Sequence, residues 1–335
     1  AAEARQHGDG KVKRMDRISR ILSPLVLAAV LLTTSGCGSA QQTAGTGAGQ
    51  ATAMPQVVAV ESFLADIAQN VAGDRLKIDT LMPLGLDPHG FEPTPQDVVR
   101  VGEANVLIVN GAGYEGWLAK VLENAGGQRQ VIEASKGLAS RDPSHDAEAV
   151  AEAEEGHDHA VDPHFWLDPT KVVRYAENIR DGLSAADPRG KEAYAANTAA
   201  YIAKLNELDT WIKGEIDQIP SARRLLVTNH ESLGYFADRY GLKIVGAVVP
   251  SVTTEASPSA QQLAALADQI RSSGAPAVFL ETGANPQLAQ QLRDETGITI
   301  VTDISAESLT APDGKAPNYL EMMRYNTEQI VAALK

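Results

Sequence analysis

Residues 225–249 read LLVTNHESLGYFADRYGLKIVGAVV. Two short apolar runs, 225–228 and 243–249, flank a stretch of helical pattern. A strand, a helix and a second strand in that order call for parallel pairing, because the chain must cross back before the second strand begins. The alternation continues downstream with candidate strands at 277–281 and 298–302. It is matched upstream by 57–60, 76–82, 106–110 and 130–133. A helix is expected over 63–71, with Ser62 as its cap and Gly73 closing it. Another starts at Thr94-Pro95-Gln96-Asp97, where a Thr cap, a Pro at the first helical position and an acid three residues on coincide. These patterns predict an α/β protein of two lobes. Each lobe holds a mostly parallel sheet flanked by helices.

Residues 171–219 carry no strand pattern. Tyr194, Tyr201, Leu205, Leu208, Ile212 and Ile216 recur at helical steps, and polar Asn197 is the one exception on that face. A helix over 188–219 would reach about 45 Å at about 1.5 Å per residue, enough for a strut joining the two lobes. The expected organisation is an N-terminal lobe over 55–169, connecting helices over 170–219 and a C-terminal lobe over 220–335.

The first 54 residues read as an address. Five basic side chains fall within 11–20, an apolar run follows at 21–32, and small residues lead to Cys37. This is the layout of a secretory signal, and the run is shorter than the roughly 20 residues that span a bilayer. Met15 is a plausible start, with 1–14 as an extension. Thr34-Ser35-Gly36-Cys37 resembles a bacterial lipobox, in which Cys37 is lipidated and becomes the mature N-terminus. Plain secretion to the periplasm is the alternative. Residues 38–54, rich in Gly, Ala, Thr and Gln, read as a flexible tether.

The chain of 335 residues carries 29 basic and 43 acidic side chains, a formal charge of −14. Such a surface repels phosphate backbones and draws cations, which argues against nucleic acid as a partner. With Cys37 as its single cysteine, the chain has no internal disulfide and no cysteine zinc knuckle.

Of seven histidines, three stand in distinctive settings. His89 lies in Leu86-Asp87-Pro88-His89-Gly90-Phe91-Glu92-Pro93, whose prolines and glycine rule out regular structure. His164 lies in Asp162-Pro163-His164-Phe165-Trp166-Leu167-Asp168-Pro169. His230 directly follows the run 225–228. In open α/β sheets, ligands bind beyond the carboxyl ends of strands, so three imidazoles delivered there would converge on the cleft between the lobes. Each alone also reads as an ordinary surface or structural residue. His145, His157 and His159 belong to an acidic, Ala-rich insertion at 141–163, which serves either as an auxiliary metal-collecting loop or as a passive solvated one.

The segments 85–97, 162–169, 228–242 and 296–326, the last with Met322-Met323-Arg324-Tyr325-Asn326, carry a resemblance to a family. The chain resembles the zinc/manganese solute-binding proteins of ATP-driven metal transporters, the ZnuA/TroA-like family, from about Val57 to its end. That resemblance implies metal ligands at His89, His164 and His230. It also implies a fourth ligand at Glu307, in Glu307-Ser308-Leu309, where relatives usually carry the shorter Asp. Asp303 is the competing carboxylate. It further implies an ABC transporter permease as partner and capture followed by delivery: His89 and His164 from the first lobe meet His230 and Glu307 from the second.

Three imidazoles and a carboxylate suit Zn2+, whereas Mn2+ prefers more oxygen. Zinc therefore leads, with manganese uptake as the alternative. Asp87, Asp162, Asp168 and Glu231 could orient the imidazoles but read more simply as caps and turn acids. Glu255 and Glu281 read as structural or docking residues near the same cleft. An enzyme is disfavoured, because the sequence lacks a His-Glu-x-x-His helix and a fourth protein ligand leaves no open position. A lipid-anchored adhesion protein is the further alternative. A monomer tethered at the outer face of the cell membrane completes the expectation.

Overall fold

The computed structural model describes residues 54–141 and 161–335. The signal segment, Cys37, the tether up to residue 53 and His145, His157 and His159 lie outside the described residues. Two four-stranded sheets form, both entirely parallel. The first comprises β1 (Val57–Ala59), β2 (Ile78–Thr80), β3 (Val106–Val109) and β4 (Gln130–Glu133), in the order β2-β1-β3-β4. The second comprises β5 (Leu225–Thr228), β6 (Lys243–Ala247), β7 (Ala277–Glu281) and β8 (Thr299–Ile304), in the order β6-β5-β7-β8. Each sheet has its switch point beside its first strand, so the loops leaving the carboxyl ends form a crevice there.

Successive strand residues serve opposite faces, and both faces are apolar. In the first sheet Val57, Ala59, Val106 and Ile108 enter one large core. Val58, Val60, Leu107 and Val109 enter a second, beneath α2 (Pro95–Glu103) and α3 (Leu118–Ala125). The second sheet divides in the same way. Leu226, Ala277 and Phe279 join the large core, while Val227, Val278 and Leu280 pack with residues of α7 (Ala260–Ser273) and α8 (Gln287–Thr296). Strands buried on both faces read as unbroken apolar runs, as these do.

The large core is shared by both sheets. It is built around α1 (Ser62–Ala72), α4 (Pro169–Ala186), α5 (Lys191–Ile216), α6 (Gly234–Tyr240) and α9 (Tyr319–Leu334). α5 buries Tyr194, Thr198, Tyr201, Leu205, Leu208, Ile212 and Ile216 along one face. Its 26 residues span about 39 Å, shorter than expected because Pro188–Gly190 forms a separate 3-10 turn and the helix ends at Ile216. Asn197 is tolerated beside the apolar stripe because its side-chain amide donates to the Val71 carbonyl in the last turn of α1. Truncating Leu205 to Ala would cost about 2–5 kcal/mol, the range for a fully buried leucine.

Local signals mostly act as read. Thr94 and Asp97 form a reciprocal capping box with Pro95 in the first turn, and Gly73 ends α1 at φ 58°. Ser62 does not cap α1. Glu61 holds the cap position without a side-chain bond, and the Ser62 hydroxyl instead accepts from the Leu309 backbone N–H at 2.9 Å. β8 runs past 302 to Ile304 because its pairing with β7 slips between Phe279 and Glu281. The slip is accommodated at Asp303, a non-glycine residue at φ 67°.

Candidate metal site

Four side chains meet between the sheets. His89 comes from the loop after β2, and His164 from the residue before a 3-10 turn at Phe165–Leu167. His230 comes from just beyond β5, and Glu307 from the loop beyond β8. Their ligand atoms all lie within 4.8 Å of one another. Glu307 Oε1 is 3.1 Å from His89 Nε2, 3.4 Å from His230 Nε2 and 3.6 Å from His164 Nε2. His164 and His230 Nε2 are 3.2 Å apart. A tetrahedron with bonds of about 2.0–2.1 Å has edges of about 3.3–3.4 Å, so the four spacings from 3.1 to 3.6 Å fit donors around one ion, while the widest, up to 4.8 Å, must shorten when an ion is held. His164 and His230 are fully buried, and His89 and Glu307 are each 9% exposed.

Every donor is braced. Asp87 Oδ1 accepts from the His89 backbone N–H at 2.9 Å, and Trp117 Nε1 donates to the Pro88 carbonyl. Asp162 Oδ1 accepts from the His164 backbone N–H and is 2.9 Å from its Nδ1. On the far side of His230, Glu281 Oε2 lies 3.0 Å from Nδ1, while Glu281 Oε1 accepts from the Ser232 hydroxyl at 2.6 Å. Carboxylates against Nδ1 leave Nε2 as the free donor that faces the site. Glu307 is carried on a loop bonded on several sides. Asn326, from the Met-Met-Arg-Tyr-Asn motif, exchanges two hydrogen bonds with the Ser305 backbone. Trp166 Nε1 donates to the Ala306 carbonyl at 2.7 Å, and the Gly85 N–H donates to Ser308 Oγ at 2.8 Å.

The electrostatics follow from this crowding. Burial pushes the Glu307 carboxyl up, yet the charge on His230 and contacts from all three rings hold it well below the usual carboxylate range. Burial would lower His230, but Glu281 and Glu307 together raise it well above an ordinary histidine. His164 is raised in the same way, by Asp162 and Glu307 against burial. A buried carboxylate beside two raised imidazoles, His164 and His230, is a place that holds positive charge, as protons or as a cation.

The remaining acids separate clearly. Asp303 is exposed on the β8 irregularity and is not among the four. Asp168 caps α4 through the Thr170 N–H, and Asp87 serves a turn, as their simpler reading has it. Asp162 departs from that reading by meeting the His164 ring. Glu281 sits at the site beside His230, whereas Glu255 and Glu231 are exposed. Sequence reasoning missed Tyr114, whose hydroxyl donates to Glu307 Oε1 at 3.4 Å. Its one signal was its place just past the carboxyl end of β3.

Two parallel sheets around a shared helical core, with three imidazoles and a carboxylate meeting at their carboxyl ends, are the arrangement of a substrate-binding protein of the metal-uptake class. Residues 57–333 match the family model described as zinc-uptake complex component A, periplasmic (ZnuA), and the chain belongs to that family. It is 32% identical to the manganese-binding lipoprotein MntA of Halalkalibacterium halodurans, over 95% of this chain and 99% of that one. It is 31% identical to the manganese ABC transporter substrate-binding lipoprotein PsaA of Streptococcus pneumoniae, over 92% of this chain and 96% of that one. Among solved structures it superposes on the periplasmic zinc-binding protein TroA of Treponema pallidum with a TM-score of 0.74 at 25% identity. That match covers 84% of this chain and 99% of TroA.

Proposed function

We propose that this chain captures a divalent transition metal outside the cytoplasm and delivers it to the permease of an ABC transporter, with zinc as its preferred cargo. The observation that carries the reading is the meeting of His89, His164, His230 and Glu307 at spacings suited to one ion. Three nitrogens and one oxygen match zinc better than manganese, which favours oxygen-rich shells. The fourth protein donor closes the site against a substrate, so binding and not hydrolysis is its chemistry. The relatives named as lipoproteins support anchoring through Cys37 at the outer face of the membrane.

Manganese is the second reading, favoured by the names that the relatives MntA and PsaA carry. Elemental analysis and competitive chelator titration of the purified protein, beside His230→Ala, test both. One zinc per chain at submicromolar affinity, lost in the variant, supports zinc capture. A preference for manganese changes the cargo and leaves the transport role. No stoichiometric metal at neutral pH overturns the proposal.

A further inference from the structure

Tyr114 is 2% exposed and its ring is held on three sides. It stands edge-on to His89, with centroids 4.9 Å apart at 85°. It packs 5.8 Å from His164 and 4.8 Å from Trp166. The backbone beneath it is fixed as well. Its N–H donates to the Gly111 carbonyl, and the next residue, Glu115, accepts from the Asn110 and Gly111 N–H groups. A tyrosine hydroxyl is an O–H donor at neutral pH. Its acceptor is Glu307 Oε1, the same oxygen that all three imidazoles approach.

We infer that the Tyr114 hydroxyl is a specificity-determining group that keeps Glu307 engaged through Oε1 alone and so favours four-coordinate zinc over manganese. The inference rests on the metal-capture reading above. A carboxylate that offers both oxygens to one ion must turn until they are equally near it, and that turn pulls Oε1 off the fixed hydroxyl. Zinc is satisfied by four donors, whereas manganese gains from each added oxygen. Opposing the turn therefore costs manganese more than zinc. The ring only packs; the hydroxyl selects.

Tyr114→Phe keeps the ring and removes the hydroxyl. The purified variant and the unaltered protein are titrated with zinc and with manganese against a chelator. Visible spectra of their cobalt forms report coordination number. The zinc-to-manganese affinity ratio is expected to fall about threefold to tenfold, or about 0.7–1.4 kcal/mol, the scale of one hydroxyl bond. The cobalt absorption should weaken as a fifth donor joins. Equal loss of both metals, or an unchanged ratio and spectrum, overturns the inference while leaving the capture reading in place. Failure of the unaltered protein to bind either metal overturns both.

Discussion

Asp162 grips His164 twice, through the backbone N–H at 3.0 Å and the ring Nδ1 at 2.9 Å, and so fixes both where the residue sits and how its ring turns. Glu281 stands in the equivalent place behind His230, itself held by Ser232. Asp162→Asn or Glu281→Gln is expected to weaken metal binding about 10- to 100-fold, the usual effect of losing a carboxylate behind a ligand imidazole. Chelator titration at pH 7.5 measures it. Affinity within twofold of the original in both variants would refute the orienting role.

The proposal of Glu307 as fourth donor is tested by contrast. Glu307→Ala should abolish tight binding, whereas Asp303→Asn should leave it unchanged, because Asp303 is exposed and outside the cluster. Isothermal titration of the two variants side by side decides between the carboxylates; the reverse pattern would exchange their roles.

Proton competition should be visible in affinity. His164 and His230 are raised in the metal-free protein, His230 well above the ordinary 6.5. A raised pKa means that protons occupy the ring below that value and must leave when an ion binds. Affinity is therefore expected to be greatest at high pH and to fall as pH drops, the loss starting at a pH above the ordinary histidine value of about 6.5. Dissociation constants measured from pH 5.5 to 9 check this, and a flat profile would contradict it.

A separate set of contacts supports stability. Asp187, at the end of α4, accepts from Arg75 and, at 2.7 Å, from the Tyr194 hydroxyl, tying the turn after α1 to the start of α5. Arg75 is the main cause of its carboxyl falling to about 2. A lowered acid contributes stability above its unfolded pKa of about 3.9, lost as pH falls through about 2. Asp187→Asn should cost about 1.5–3 kcal/mol at pH 7, the range for a hydrogen bond to a charged group. Urea denaturation at pH 7 and pH 2 measures it, and the deficit should shrink at the lower pH.

The β-α alternation and the buried face of α5 were legible because they repeat at short range. The two Asp-Pro-His segments marked the loops for the same reason. Partners far apart in the chain were not. Nothing near Ser62 says that its hydroxyl serves Leu309 and not its own helix, since that partner lies 247 residues on. Glu281 looked like an ordinary strand-end acid because its meeting with His230 needs β5 and β7 to pair. The last two residues of β8, Asp303 and Ile304, were missed because the positive φ of Asp303 goes with a slip in register against β7. Tyr114 lay in a glycine-rich turn whose hydrophobic surroundings become visible only on folding.

The bonds around Glu307 divide the site unevenly. Ser62, Gly85 and Trp166, all from the first half of the chain, hold the backbone or side chains of residues 306–309. Glu307 thus belongs to the second half by sequence but is attached to both, to the first through these bonds and to the second through Asn326 on Ser305. A parting of the two sheets that spares the first-half bonds and gives up the Asn326 pair would leave His89, His164 and Glu307 on one side and His230 alone on the other. Cargo would then depart in two stages, the solitary imidazole letting go before the remaining trio gives up the ion.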